Sequence, residues 1–156
     1  MYNVRLNTSN IETLDDKFDQ RAKAVKENWN MVTKNFLEKG FQVLFKFWDE
    51  DSDSSIQQVL AKAKSPRFET ASDGLQVVTI ELTPKIKEML VQIVPEESQS
   101  ITPFFHFDIL DAKGESLFSS QDHGDNTLFY LSEEERAALV QRGLVYEDLE
   151  KAQWLE

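Results

Sequence analysis

Residues 75–95 read LQVVTIELTPKIKEMLVQIVP, and this stretch decides the fold class. Leu75–Leu82 is rich in β-branched residues and predicts a strand. Thr83 then offers a side-chain oxygen as an N-cap, and Pro84 brings the fixed φ that suits a first helical position. From there the period changes. Ile86, Met89, Leu90 and Ile93 recur at helical spacing, and Pro95 stops the helix. A strand running directly into an amphipathic helix marks a chain that mixes both elements around one core.

Upstream, Ser72-Asp73-Gly74 is a turn signal, preceded by a weak strand at 67–71. Before Ser65-Pro66, the apolar residues Ile56, Val59, Leu60 and Ala63 predict a short helix. Phe41–Trp48 predicts a strand with Phe41, Val43, Phe45 and Phe47 on one face. Its other face holds Gln42, Leu44, Lys46 and Trp48 and is only half polar, which suits a central strand covered on both sides. Ahead of it, Ile11, Leu14, Phe18, Ala22, Val25, Trp29, Val32 and Phe36 form one helical stripe, capped by Ser9 or Asn10 and stopped at Lys39-Gly40. The stripe is close to heptad spacing and predicts more helix than one core needs, so a homodimer through the N-terminal helix enters as an option.

Downstream, Phe104–Leu110 predicts a strand with Phe105, Phe107 and Ile109 on one face, followed by a turn at Asp111–Gly114. Ser116–Gln121 returns, Asp122–Asn126 turns again, and Thr127–Leu131 closes the meander. Ser132 and Glu135 have the spacing of a capping box for a helix ending at Gly143, with a second helix expected at 147–155. The expected fold is thus one α+β domain over residues 1–156. It has a long helix at 10–39, a β-α-β-β-α-β core at 41–110, and a hairpin extension with a helix pair at 116–155. The core follows the ferredoxin-like split βαβ order, which implies an antiparallel or mixed sheet of about five to six strands.

The 156 residues are 40% hydrophobic and 29% charged, an ordinary globular balance with room for a sizeable core. There is no cysteine, which excludes thiol nucleophiles, thiolate zinc sites and iron–sulfur clusters and favours a reducing, cytoplasmic setting. No apolar run approaches a membrane span, and Met1–Asn10 lacks a charged-then-apolar leader pattern. The net charge of −11 is unevenly spread. Residues 1–48 hold eight Lys or Arg against six Asp or Glu, whereas the remainder holds nine against twenty-two. Such a field repels nucleic acid and anionic membranes and speeds encounter with basic proteins.

Motifs for catalysis are missing. There is no phosphate-cradling glycine loop, no nucleophile elbow, and no Ser/His pair with an evident orienting acid. No cofactor is implied. Asp49, Asp51 and Asp53 copy the first half of a calcium loop, but Ser54 stands where a glycine is needed and Leu60 where a bidentate glutamate is needed. These three acids are the metal-site candidates, with a solvated helix-capping loop as the plainer account. His106 and His123 fall toward one end of the expected hairpin, near Asp108, Asp122 and Asp125. They suit a metal or acid–base site only if geometry supplies a third partner; otherwise they are surface histidines. The aromatic residues on the strands read as core rather than as a ligand cavity.

The function expected from these observations is a non-catalytic acidic binding or inhibitor protein, of the immunity-protein or phage-inhibitor type, engaging a basic protein surface. Its partner-binding candidates are Asp122, Asp125, Glu133, Glu134 and Glu135, taken as one acidic patch, with Trp48 and Phe104 as exposed aromatic contacts. The alternative is a small-molecule-binding or enzymatic domain with a pocket between the sheet and the long helix.

Overall fold

The computed structural model describes residues 2–6, 18–48, 55–72, 74–93 and 101–148. The elements in chain order are β1 (Tyr2–Leu6), α1 (Phe18–Lys39), β2 (Gln42–Trp48), α2 (Ser55–Lys62), β3 (Arg67–Ser72), β4 (Leu75–Glu81), α3 (Pro84–Gln92), β5 (His106–Leu110), β6 (Ser116–Gln121), β7 (Asn126–Leu131), α4 (Glu133–Gln141) and β8 (Tyr146–Asp148). A single 3-10 turn at Asp122–Gly124 joins β6 to β7. The caps fall where the side chains demand them. Thr83 Oγ1 accepts from the Ile86 amide at 3.3 Å, and Ser132 with Glu135 closes a reciprocal capping box.

The eight strands among the described residues join one antiparallel sheet in the order β3-β4-β2-β5-β6-β7-β1-β8. The sheet is larger than the expected five to six strands because both ends of the chain contribute one. β1 pairs with β7 through Val4 and Phe129, and β8 pairs with β1 through Arg5 and Glu147. Residues 146–148 are therefore strand, which corrects the helix expected from 147; residues 149–156 lie outside the description. Of the long helix expected at 10–39, the description covers the part that begins at Phe18.

Alternation sorts each strand into two faces. Val4, Val43, Phe45, Val78, Ile80, Phe107, Ile109, Phe118 and Phe129 point into one continuous core. That core also takes the buried residues of all four helices, including Val25, Trp29 and Phe36 of α1, Val59 of α2, Ile86 of α3 and Leu139 of α4. The helices thus share one face of the sheet. Phe36 meets Phe118 and Phe129 at centroid distances of 5.5 and 5.7 Å, and Trp29 meets Phe107 edge-on at 6.0 Å. Such aromatic pairs each add about 0.5–1.5 kcal/mol beyond area burial.

Two packing outcomes bear on the sequence reading. The apolar stripe of α1 from Val25 to Phe36 is spent on the chain's own sheet. The aromatic residues also fill the space between α1 and the sheet where a ligand pocket was expected. Phe41 departs from the expected core face: it precedes β2, in the link after Gly40, and is 54% exposed.

Candidate functional site

The opposite face of the sheet is covered by no helix among the described residues. Its side chains form rows that the strand register defines. One row crosses all eight strands as Arg67, Thr79, Leu44, Asp108, Ser119, Leu128, Arg5 and Glu147. The neighbouring row runs Glu69, Val77, Lys46, His106, Gln121 and Asn126. Arg5 and Glu147 close the first row with an exposed ion pair at 3.8 Å.

Where these rows cross β5, β6 and β7, they build a directed hydrogen-bond relay. Asn126 Nδ2 donates to Gln121 Oε1 at 3.2 Å, and Gln121 Nε2 donates to Ser119 Oγ at 3.0 Å. The Ser119 hydroxyl in turn hydrogen-bonds Asp108, and Ser116 Oγ reaches Asp108 Oδ1 at 3.4 Å. From the other side, His106 Nε2 lies 3.2 Å from Asp108 Oδ2. Burial by itself would raise the Asp108 pKa. The bonds from His106 and Ser119 and the nearby charges of His106 and Lys46 outweigh it, so the carboxyl ionises below its ordinary range. An ionised carboxylate only accepts, so the proton of the His106–Asp108 bond sits on Nε2.

This charged carboxylate borders a groove of about 390 Å³ lined by Asn3, Ser116, Leu117, Ser119, Leu128 and Tyr130 along with Asp108. The Tyr130 ring is 46% exposed. Sequence reasoning noticed Asp108 and His106 but not the groove, whose residues come from β1, β5, β6 and β7.

The sequence-derived candidates divide. Asp122 and Asp125 are exposed on the turn between β6 and β7, whose backbone is left-handed at Asp122 (φ 51), His123 (φ 57) and Gly124 (φ 95). The turn is nevertheless fixed. The His123 amide donates to the Phe105 carbonyl at 3.1 Å, the Thr102 amide donates to the His123 carbonyl at 3.1 Å, and Thr127 Oγ1 donates to the Gly124 carbonyl at 2.7 Å. His123 is held in this turn, with Nδ1 3.3 Å from the Thr102 carbonyl, and does not join His106 in a common site. Among the described residues no group of three or more His, Asp or Glu has metal-binding geometry.

Glu133 and Glu134 are exposed at the start of α4. They do not form one patch with Asp122 and Asp125, because the six residues of β7 separate the two groups by about 20 Å at strand rise. Glu135 has a structural post. Its Oε1 accepts from the Ser132 amide, and its Oε2 accepts from Lys39 Nζ at 2.7 Å and Asn35 Nδ2 at 2.9 Å. Burial raises its pKa, but these bonds and the Lys39 charge outweigh that and leave it below the ordinary range. Trp48 is 44% exposed and leans on Phe105 at 6.2 Å. Phe104 corrects the expectation of an exposed contact: it is 2% exposed, because Ile101–Phe104 crosses the end of the core and Phe104 packs on Phe45 and Phe107. Asp49, Asp51 and Asp53 lie outside the described residues.

No helix among the described residues is long and apolar enough to cross a membrane. Comparison with family models, with curated proteins and with solved structures found no match to this chain.

Proposed function

We propose that this protein is a non-catalytic acidic binding or inhibitor protein, of the immunity-protein or phage-inhibitor type, that engages a basic protein surface in the cytoplasm. The observation that carries the reading is the turn at Asp122–Asp125. Two exposed acids stand on a backbone with three consecutive positive φ values, held by hydrogen bonds to residues 102 and 105. A left-handed residue other than glycine costs roughly 1 kcal/mol or more, and such strain concentrates where a fixed presentation is used. In sequence, residues 96–156 carry fourteen acidic side chains against four basic ones, a net negative field that favours fast association with a cationic partner. The same reading takes 41–110 as a ferredoxin-like unit, supported by the order β3-β4-β2-β5 with a helix in each crossover.

The test is affinity capture from native lysate at low and high salt with identification of the bound species. A basic protein released by salt supports the proposal, and capture that is indifferent to salt counts against it. A second reading, a small-molecule-binding or enzymatic domain, is favoured by the groove beside Asp108 and the oriented Asp108–His106 pair. A co-purified metabolite would favour that reading.

A further inference from the structure

We infer that the groove on the open face of the sheet is a receptor for a single arginine side chain of the basic partner, with Asp108 as the counter-charge. This inference rests on the proposed function and gives it a contact point.

Three features of the groove converge on that ligand. The first is charge. Among the described residues that line it, Asp108 is the only carboxylate, and the surrounding donors hold that carboxylate ionised. Asn126, Gln121 and Ser119 donate in one direction, each toward the next, and the relay ends on Asp108. A carboxylate fixed in this way is pre-oriented, so a cation meeting it loses little to reorganisation.

The second is unused acceptor capacity. An ionised carboxylate offers about four lone-pair sites. His106 approaches Oδ2, the Ser119 hydroxyl donates to the same carboxylate, and the 3.4 Å contact from Ser116 to Oδ1 is long for an O–H···O bond. These approaches leave the carboxylate with acceptor capacity for a further donor.

The third is the shape and chemistry of the walls. Leu117 and Leu128 supply apolar surface for a methylene stem, and the exposed ring of Tyr130 stands on β7. Asp108 on β5 and Tyr130 on β7 are two strands and two residues of register apart, about 12 Å at ordinary strand spacing and rise. A cation on an apolar stem fits this arrangement. A planar guanidinium fits it better than an ammonium, because it stacks on an aromatic face and presents several donors to one carboxylate. The neutral alternative, a polar network that merely decorates the sheet, gives no role to Tyr130 or to the groove.

The test uses the full chain and three small probes: N-acetyl-arginine methylamide, its lysine counterpart, and its citrulline counterpart, which has the shape of arginine without the charge. Binding is followed by amide and side-chain NMR shifts at Leu117, Ser119, Leu128 and Tyr130. The expected result is saturable shifts with the arginine probe, at least tenfold weaker binding of citrulline, and weaker binding of lysine. Asp108→Asn, which keeps the side-chain shape, should weaken the arginine probe about tenfold, as expected for loss of a charge-assisted bond. Tyr130→Leu, at an exposed position, should weaken it severalfold with the amide spectrum otherwise preserved. Equal binding of arginine and citrulline, or of arginine and lysine, would overturn the assignment, as would an unchanged affinity in both variants. Absent probe binding with salt-sensitive capture of basic proteins intact would overturn the groove assignment alone. Loss of that capture in the unaltered chain would overturn the reading beneath it.

Discussion

Substituting Glu135 separates two roles that the acidic start of α4 combines. Glu135 accepts from Ser132, Asn35 and Lys39, and the last two bonds tie α4 to α1 across about a hundred residues of chain. Glu135→Gln keeps one oxygen, which can serve the capping box, but it removes the charge and sets an amide NH2 against the Asn35 and Lys39 donors. The Lys39 pair is partly exposed, with side chains 40% and 24% accessible, so it contributes at most about 1 kcal/mol. The negative charge in the first helical turn contributes another 0.3–1 kcal/mol or so. We expect Glu135→Gln to lower stability by about 1 kcal/mol at neutral pH. Glu135→Ala also dismantles the capping box and should cost about 2 kcal/mol. The pH dependence has a definite sign. The folded-state pKa of Glu135 lies below the ordinary value, so its stabilisation is present above the unfolded pKa of about 4.3 and is lost as pH falls through the lower folded value. The gap between the unaltered chain and Glu135→Gln should therefore narrow on acidification. Urea unfolding followed by circular dichroism, at neutral and acid pH, measures both. Stability of Glu135→Gln within a few tenths of a kcal/mol of the original at neutral pH, or a gap that persists in acid, would refute the reasoning.

Three further outcomes are expected. Gly124→Ala should destabilise by about 2–4 kcal/mol, since a Cβ at its φ of +95° would sit 2.9 Å from Ile101 Cβ, combining backbone strain with overpacking; denaturant titration measures it. Phe118→Ala removes a ring that touches Phe36, Phe107 and Phe129 and should cost about 3–5 kcal/mol in the same assay. Glu133→Gln with Glu134→Gln should lower stability by no more than about 1 kcal/mol in thermal melts, because neither side chain makes an ion pair among the described residues.

Much of the fold was legible because its signals are local. The change of period at Thr83-Pro84 and the Ser132/Glu135 spacing placed two helices from residues within one turn of their caps. The strand at 42–48 announced itself by alternation and does lie in mid-sheet between β4 and β5, but its half-polar side, read as covered, faces the open side of the sheet. β1 and β8 were not legible. Each is short, and the surface that makes them strands belongs to partners far along the chain: β1 needs β7, and β8 needs β1. Phe104 was misplaced for a related reason. Extending the alternation of β5 backward put it on the open face, but the strand begins at His106 and the preceding segment folds over the core. The groove was the least legible feature. Asn3, Asp108, Ser116 and Tyr130 become neighbours only through strand pairing, and no spacing along one chain encodes that.

The most direct test of the proposed function is the association rate with the captured basic protein, measured across a salt series for the unaltered chain and for Asp122→Asn with Asp125→Asn. Neither residue supplies the caps of α3 or α4, which are Thr83 and Ser132, so the fold should survive the double substitution. The account predicts a slower association in the variant, with the difference largest at low salt and the melting temperature little changed. Unchanged association across the whole series would contradict it and favour the small-molecule reading.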